Sequence, residues 1–312
     1  MREEIRILVI MIAAACCAAA FAIKPSEGLV RISVGTLREQ PAQSAELATQ
    51  ALMGTPLTIH SRDGEWLEVS MPDGYRAWIN ESGVHIADSA EMNRWRSAHR
   101  MIVTLPQQIY VVSDTILPDP ACRISDLVTG NIVENISPYT AGEWINIKLP
   151  DGRTGFANRI AFSPLEDIAA RTPQPSRVVE FAKALTGTPY LWGGTSIKMI
   201  DCSGLISLAY FMEGLILPRN TSAQARIGEK TENPKEGDIL VFFNPATGKV
   251  NHVGIYMADS MFIHASGQVK VNSLDPQSPD FSGKLHTGTR HITGNAPEGV
   301  TRLIDHNGYF NK

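Results

Sequence analysis

Three side chains form a chemically plausible set. Cys202 opens the segment CSGLISLAY just after Asp201, His252 lies in VNHVGIYM, and His264 lies in MFIHAS. A thiol attacks a carbonyl best as thiolate, and a helix N-terminus favours that form through its dipole and its free N–H groups. A histidine would form the ion pair and later protonate a leaving amine. Each residue alone has a plainer reading. A cysteine at a helix start is more often a small buried hydrophobe, and a strand histidine is more often surface or core. Zinc is a third reading, but the spacings are long and no CxxC or HxxxH occurs, so no metal is expected. His60, His85, His99, His286, His291 and His306 show no comparable placement and read as solvated.

The elements around the three residues decide whether they can meet. Leu205, Ile206, Ala209 and Met212 continue a helical period after Cys202 and end near Gly214. An earlier helical stretch, VVEFAKALTG, stops at Gly187. Then come GDILVFF (237–243), VNHVGIYM (250–257), MFIHAS (261–266) and QVKVN (268–272), all strand-like, with NPATG as a turn between the first two. His252 shares a strand face with Gly254 and Tyr256, and His264 alternates against Ile263 and Ala265. A turn near Asp259 and Ser260 would put both imidazoles on one side of a sheet. His252 would then face the thiol and His264 would orient His252. Helices followed by antiparallel strands give an α+β order.

The first half of the chain is duplicated. GEWLEVSMPDGYRAWIN at 64–80 recurs as GEWINIKLPDGRTGFAN at 142–158, and ALMGTPLTI at 51–59 resembles LVTGNIVEN at 127–135. Each copy holds an alternating strand (Trp66, Val69 and Met71; Trp144, Ile147 and Leu149), a Pro-Asp-Gly turn and a second aromatic strand. One repeat of this size means duplicated domains, not a solenoid. The pattern resembles the bacterial SH3-like domain, whose members bind or orient cell-wall peptides. The expected division is a signal segment at 1–22, a first SH3-like barrel at 28–87, a connecting helix at 88–100, a second barrel at 101–163, a linker at 164–175 and a catalytic domain at 176–312.

That last domain carries TPYLWGGTS, DCSGLISLAY, LPRNTSAQA, GDILVFF, NHVGIYM and FIHAS in order. The set resembles the NlpC-type cysteine peptidases of bacterial cell walls over about 174–290. The resemblance implies a papain-like α+β core, and so a multidomain chain of two small SH3-like β-barrels followed by that peptidase domain. It implies Cys202 as nucleophile, His252 as base and His264 as the third residue. It implies Tyr190 near the oxyanion, Trp192 as a wall of the cleft, and Ser203 against the D-glutamate. In members with SH3-like domains ahead of the peptidase, the first such domain walls a site that reads the free amino group of L-Ala. Tyr75, in the turn where the second copy has Arg153, and Glu46 are the candidates for that wall. Ordinary barrel packing and a solvated loop charge are their plainer readings. Asp201 opposes ionisation of the neighbouring thiol, so it either caps the helix or binds the ammonium. Arg219 holds a substrate carboxylate or only its loop. The family often has Asp-Ser after LPR where this chain has Asn220-Thr221, which removes a charge and shifts the burden to Asp201 and Glu46.

The implied activity is hydrolysis of the γ-D-glutamyl bond to a diamino acid, meso-diaminopimelate or Lys, in peptidoglycan stem peptides, without a cofactor. Action on intact wall and a degenerate wall-binding protein are the alternatives. Bulk properties agree with a globular protein: 312 residues, net charge −4, and 43% hydrophobic residues. No Lys/Arg run provides a nucleic-acid footprint. The chain is expected to act as a monomer. MREEIR followed by ILVIMIAAACCAAAFA reads as an export signal, cleaved after Ala22, for the periplasm or cell envelope. A lipid on Cys16 is the rival reading. Cys122 and Cys202 fall in different domains, so no disulfide is expected between them.

Overall fold

A computed structural model of the chain describes residues 26–115, 120–137, 142–244, 246–283, 286–292 and 296–311. The signal segment, with Cys16 and the Ala22 cleavage position, lies outside the described residues.

Two seven-stranded sheets fill the first half. In both, the strands lie in the spatial order third, second, sixth, fifth, fourth, first, seventh. The first runs from Ser26–Val30 to Val84–Ala87 and the second from Arg100–Val103 to Phe162–Pro164. The repeated GEW segments are the fifth strand of each, Trp66–Ser70 and Trp144–Lys148. Their inward side chains are Leu67 and Val69 in one and Ile145 and Ile147 in the other. Trp66 is only half-buried and Trp144 is exposed. The sequence reading grouped the tryptophans with Val69 and Ile147. The strand period of two puts residues three apart on opposite faces and corrects that grouping.

Helix α1 (Ser89–Ser97) joins the barrels, with Asp88 capping it through Glu91 N–H at 2.8 Å. The stretch 164–175, expected as a linker, instead holds helix α2 (Leu165–Ala169). Leu165, Ile168 and Ala169 are fully buried and pack in one cluster with Trp95, Ile216 and Tyr309. The prolines of this stretch flank that helix rather than loosening it, because Pro is tolerated just before and at a helix start.

Helix α3 (Pro175–Ala184) and helix α4 (Cys202–Phe211) pack against a six-stranded antiparallel sheet. Its strand order is Glu229–Thr231, His286–His291, Ile239–Phe243, Val250–Ala258, Met261–Ser266 and Gln268–Ser273. Leu205, Ile206 and Ala209 of α4 bury against Val253, Ile255 and Ile263. The Val250–Ala258 and Met261–Ser266 strands join through Asp259 (φ 49°) and Ser260 (φ 64°). Positive φ at both turn residues matches the right-handed twist of a tight hairpin.

The last residues run back across the molecule. Thr301–Arg302 pairs with Leu215–Ile216. Tyr309 is buried, and its carbonyl accepts from Arg100. The Arg100 guanidinium, itself fully buried, lies over the rings of Trp95 and Phe310 at 4.6 and 4.8 Å. Burial lowers its pKa to about 10. His306 reaches the Pro72 carbonyl of the first barrel at 3.2 Å.

Candidate active site

Cys202 is the first residue of α4, and Asp201 is its cap. Asp201 Oδ1 accepts from Gly204 N–H at 2.7 Å, and Oδ2 accepts from Gly193 N–H at 2.9 Å. The Gly193–Gly194 loop is thereby lashed to the helix start. A Cβ on Gly204 would meet the Gly194 carbonyl oxygen at 2.1 Å, so no other residue fits there. Cys202 is 5% exposed, with its sulfur 3.7 Å from Thr221 Oγ1. Burial pushes its thiol up, and the Asp201 charge adds to this. The Thr221 hydroxyl and the N–H groups of Val253 and Ser203 pull the other way. The helix dipole was expected to ionise the sulfur. Desolvation and the Asp201 charge work against that form in the resting chain.

The candidate base, His252, is the residue before Val253. His252 Nε2 is 2.6 Å from His264 Nδ1, and both rings are buried. The imidazoles meet edge-on at 83°, with centroids 4.8 Å apart. Gly254 allows this approach, because a Cβ there would lie 2.8 Å from the Phe262 ring. His264 Nε2 continues to Asn272 Oδ1 at 2.9 Å, and Asn272 Nδ2 donates to the Asp280 carbonyl at 2.8 Å. The proton assignment follows from that end. A backbone carbonyl can only accept, so it fixes the Asn272 amide with Oδ1 toward His264. His264 must then carry its proton on Nε2, and its Nδ1 accepts from His252 Nε2–H. Sequence reasoning missed Asn272. The available signal was its position two residues beyond Lys270, which pairs with His264 across the strands.

Two expectations for substrate contacts are corrected. Arg219 is 4% exposed and spends its N–H groups inside the protein. Nε donates to Thr49 Oγ1 at 2.7 Å, Nη1 to Ser203 Oγ at 2.7 Å and Asp201 Oδ1 at 3.2 Å, and Nη2 to Asp201 Oδ2 at 2.7 Å and the Gly194 carbonyl at 3.4 Å. A guanidinium has five N–H donors, so none is left for a substrate carboxylate. Asp201 is likewise paired and caps the helix, so it is not a reader of a substrate ammonium. Ser203 is buried and donates to Asp201 Oδ1 at 3.1 Å. Thr49 belongs to the first barrel, so Arg219 also fastens that barrel to the catalytic helix.

Above these groups lies a pocket of about 340 Å³. Cys202, Tyr190, Trp192 and Thr221 line it from the catalytic domain, and Glu39, Glu46 and Tyr75 from the first barrel. Trp192 is 62% exposed and forms a free-standing wall. Burial pushes the Tyr190 hydroxyl up to about 12, with Cys202 and Asp201 adding to the effect, so it remains a donor. Tyr75 donates to Glu39 Oε1 at 3.2 Å, and its hydroxyl also meets the exposed Asn220. Glu39 was missed in the sequence reading. Its N–H bonds the Glu46 carbonyl across the hairpin at 3.1 Å, which sets both acids side by side on the pocket lining.

The order of these parts matches a known group of proteins. The family model described as NlpC/P60 matches residues 187–289, and that of the bacterial dipeptidyl-peptidase Sh3 domain matches 37–84. Dipeptidyl-peptidase 6 of Lysinibacillus sphaericus is 30% identical over 281 residues, covering 83% of this chain and 96% of its own. The chain belongs to the NlpC/P60 family. It is a cysteine peptidase with SH3-like barrels ahead of its NlpC/P60 domain. A γ-D-glutamyl-L-lysine dipeptidyl-peptidase of Bacillus cereus is 26% identical, over 70% of this chain and 67% of its own. The fold is shared with a crystal structure of an NlpC/P60 family protein from Bacillus cereus. It has 22% identity and a TM-score of 0.72, over 85% of this chain and 99% of that one. As an NlpC/P60 peptidase, the chain acts on peptidoglycan in the cell envelope or outside the cell.

Proposed function

We propose that this peptidase releases L-Ala-γ-D-Glu from stem peptides whose N-terminal amine is already free. It would cut the γ-D-glutamyl bond to the following diamino acid. One observation carries the reading: Glu39, Glu46 and Tyr75 of the first barrel line the pocket that holds Cys202. An acidic lining of this kind fits a short N-terminal dipeptide with a free ammonium, which a glycan-linked lactyl amide lacks. The names of the relatives support the same bond.

In this reading Cys202 is the nucleophile. His252 Nδ1 takes its proton, because Nε2 donates to His264. The sulfur bonds to the γ-carbonyl carbon, and N–H groups at the start of α4, with the Tyr190 hydroxyl, stabilise the oxyanion. His252 then gives its proton to the departing α-amine as the C–N bond breaks. Water, deprotonated by His252, hydrolyses the thioester and restores the thiol. In this reading the first barrel selects and the last domain cuts. Release from an exported chain would serve turnover of wall fragments.

Mass spectrometry of L-Ala-γ-D-Glu-diaminopimelate and its N-acetyl form tests the reading, with Cys202→Ala as control. Cleavage of the free peptide only is expected. Equal cleavage of both forms rejects the amine requirement, and cleavage of intact sacculi would favour a wall hydrolase.

A further inference from the structure

A second groove borders the pocket at Cys202. Ser222 and Val250 line both. The groove has a volume of about 500 Å³, and neither barrel contributes to it. Its charged lining is Arg226, Lys230, Lys249 and Arg290, with no Asp or Glu. Among the described residues, none of the four forms an ion pair. Arg226, Lys230 and Lys249 are exposed, and half-buried Arg290 is held by an Nε–H bond to the Ala225 carbonyl.

A second observation says this is more than surface basicity. Lys230 and Arg290 stand directly opposite each other on neighbouring antiparallel strands. Opposed residues project from the same sheet face, and like charges there are destabilising. The fold keeps this repulsion beside a groove that bears no counter-charge of its own. A bound anion would relieve it.

The two neighbouring cavities therefore differ in sign, with Glu39 and Glu46 lining the one and four cations the other. The substrate has the same polarity. Its L-Ala end is an ammonium, and the part beyond the scissile bond ends in carboxylates. We infer that the groove binds the carboxylates of the leaving diamino acid segment, and that the enzyme prefers diaminopimelate, which carries a side-chain carboxylate, over lysine. This rests on the bond proposed above.

The test compares kcat/KM at low salt for three tripeptides: L-Ala-γ-D-Glu-meso-diaminopimelate, the same peptide with the side-chain carboxyl amidated, and L-Ala-γ-D-Glu-L-Lys. The acid is expected to be preferred over the amide and over lysine by ~5–10-fold, the scale of a few partly exposed charge pairs. The preference should shrink at high salt. In a Lys230→Gln/Lys249→Gln variant it should fall to about one, chiefly through KM. Equal kcat/KM on all three peptides in the wild type overturns the groove assignment and leaves the bond assignment standing. A preference unchanged in the variant also overturns it. Failure to cleave any of the three overturns the proposed bond, and this inference with it.

Discussion

Replacing Asn272 by Leu isolates the far end of the histidine relay. Leu is close to Asn in size but removes the acceptor 2.9 Å from His264 Nε2. The His264 N–H then loses its partner in a buried ring pair, and the tautomer that accepts from His252 loses its anchor. Stranding such a donor costs ~1–3 kcal/mol, and at ~1.4 kcal/mol per tenfold in rate kcat should fall ~5–140-fold. KM should hardly move, because Asn272 does not line the pocket. Asn272→Asp separates positioning from mere packing. It restores an acceptor, but its carboxylate favours the imidazolium form of His264. A His264 protonated on both nitrogens can no longer accept from His252 Nε2–H. The variant should therefore be nearly competent at alkaline pH and fail on the acid side, moving the acid limb of kcat upward. Stopped-flow or discontinuous assays across pH, with melting curves to check folding, give both readouts. A folded Asn272→Leu enzyme with wild-type kcat, or an Asn272→Asp profile superimposable on the wild type, refutes the relay.

Asp201→Asn keeps an oxygen for the Gly204 cap but removes the charge that raises the Cys202 thiol. Iodoacetamide alkylation of Cys202 should then shift to lower pH, and an unshifted profile would show that Asp201 does not act on the sulfur. Gly204→Ala drives a methyl into the Gly194 carbonyl. Overpacking of this kind costs ~1–3 kcal/mol, with a loss of activity that exceeds the loss of melting temperature. Glu39→Gln/Glu46→Gln should raise KM for the free-amine peptide ~10-fold or more while sparing kcat, as expected when binding common to ground and transition state is lost. Tyr309→Ala empties a buried aromatic site at a cost of ~3–5 kcal/mol, measurable by denaturant unfolding.

The sequence carried the catalytic elements well where periodicity and turn chemistry agreed. The alternation around His252 and His264, with Asp259-Ser260 between them, places both rings on one face, and the hairpin has that register. Cys202 at a helix start was legible because Asp201 is a good cap and Gly214 a good stop. Long-range pairings were not legible. Whether Arg219 holds substrate or only its own surroundings stayed open because Thr49, its partner, is far away in the chain. Glu39 was passed over for Glu46, since only the hairpin register sets them side by side. The forces opposing ionisation of Cys202 were half legible, because Asp201 can be read from the sequence whereas burial cannot. Helix α2 was hidden by flanking prolines, and its apolar face has meaning only against Trp95 and Tyr309.

The run from Thr301 to Asn311 had no motif, yet it touches α1, the strand after Gly214 and the first barrel. It works as a strap around the joint between the first barrel and the catalytic domain. Clipping it should leave the thiol and its histidines intact while letting the acidic wall drift from the sulfur. The trimmed enzyme would lose discrimination before it lost chemistry, and peptides with blocked amines would begin to be accepted.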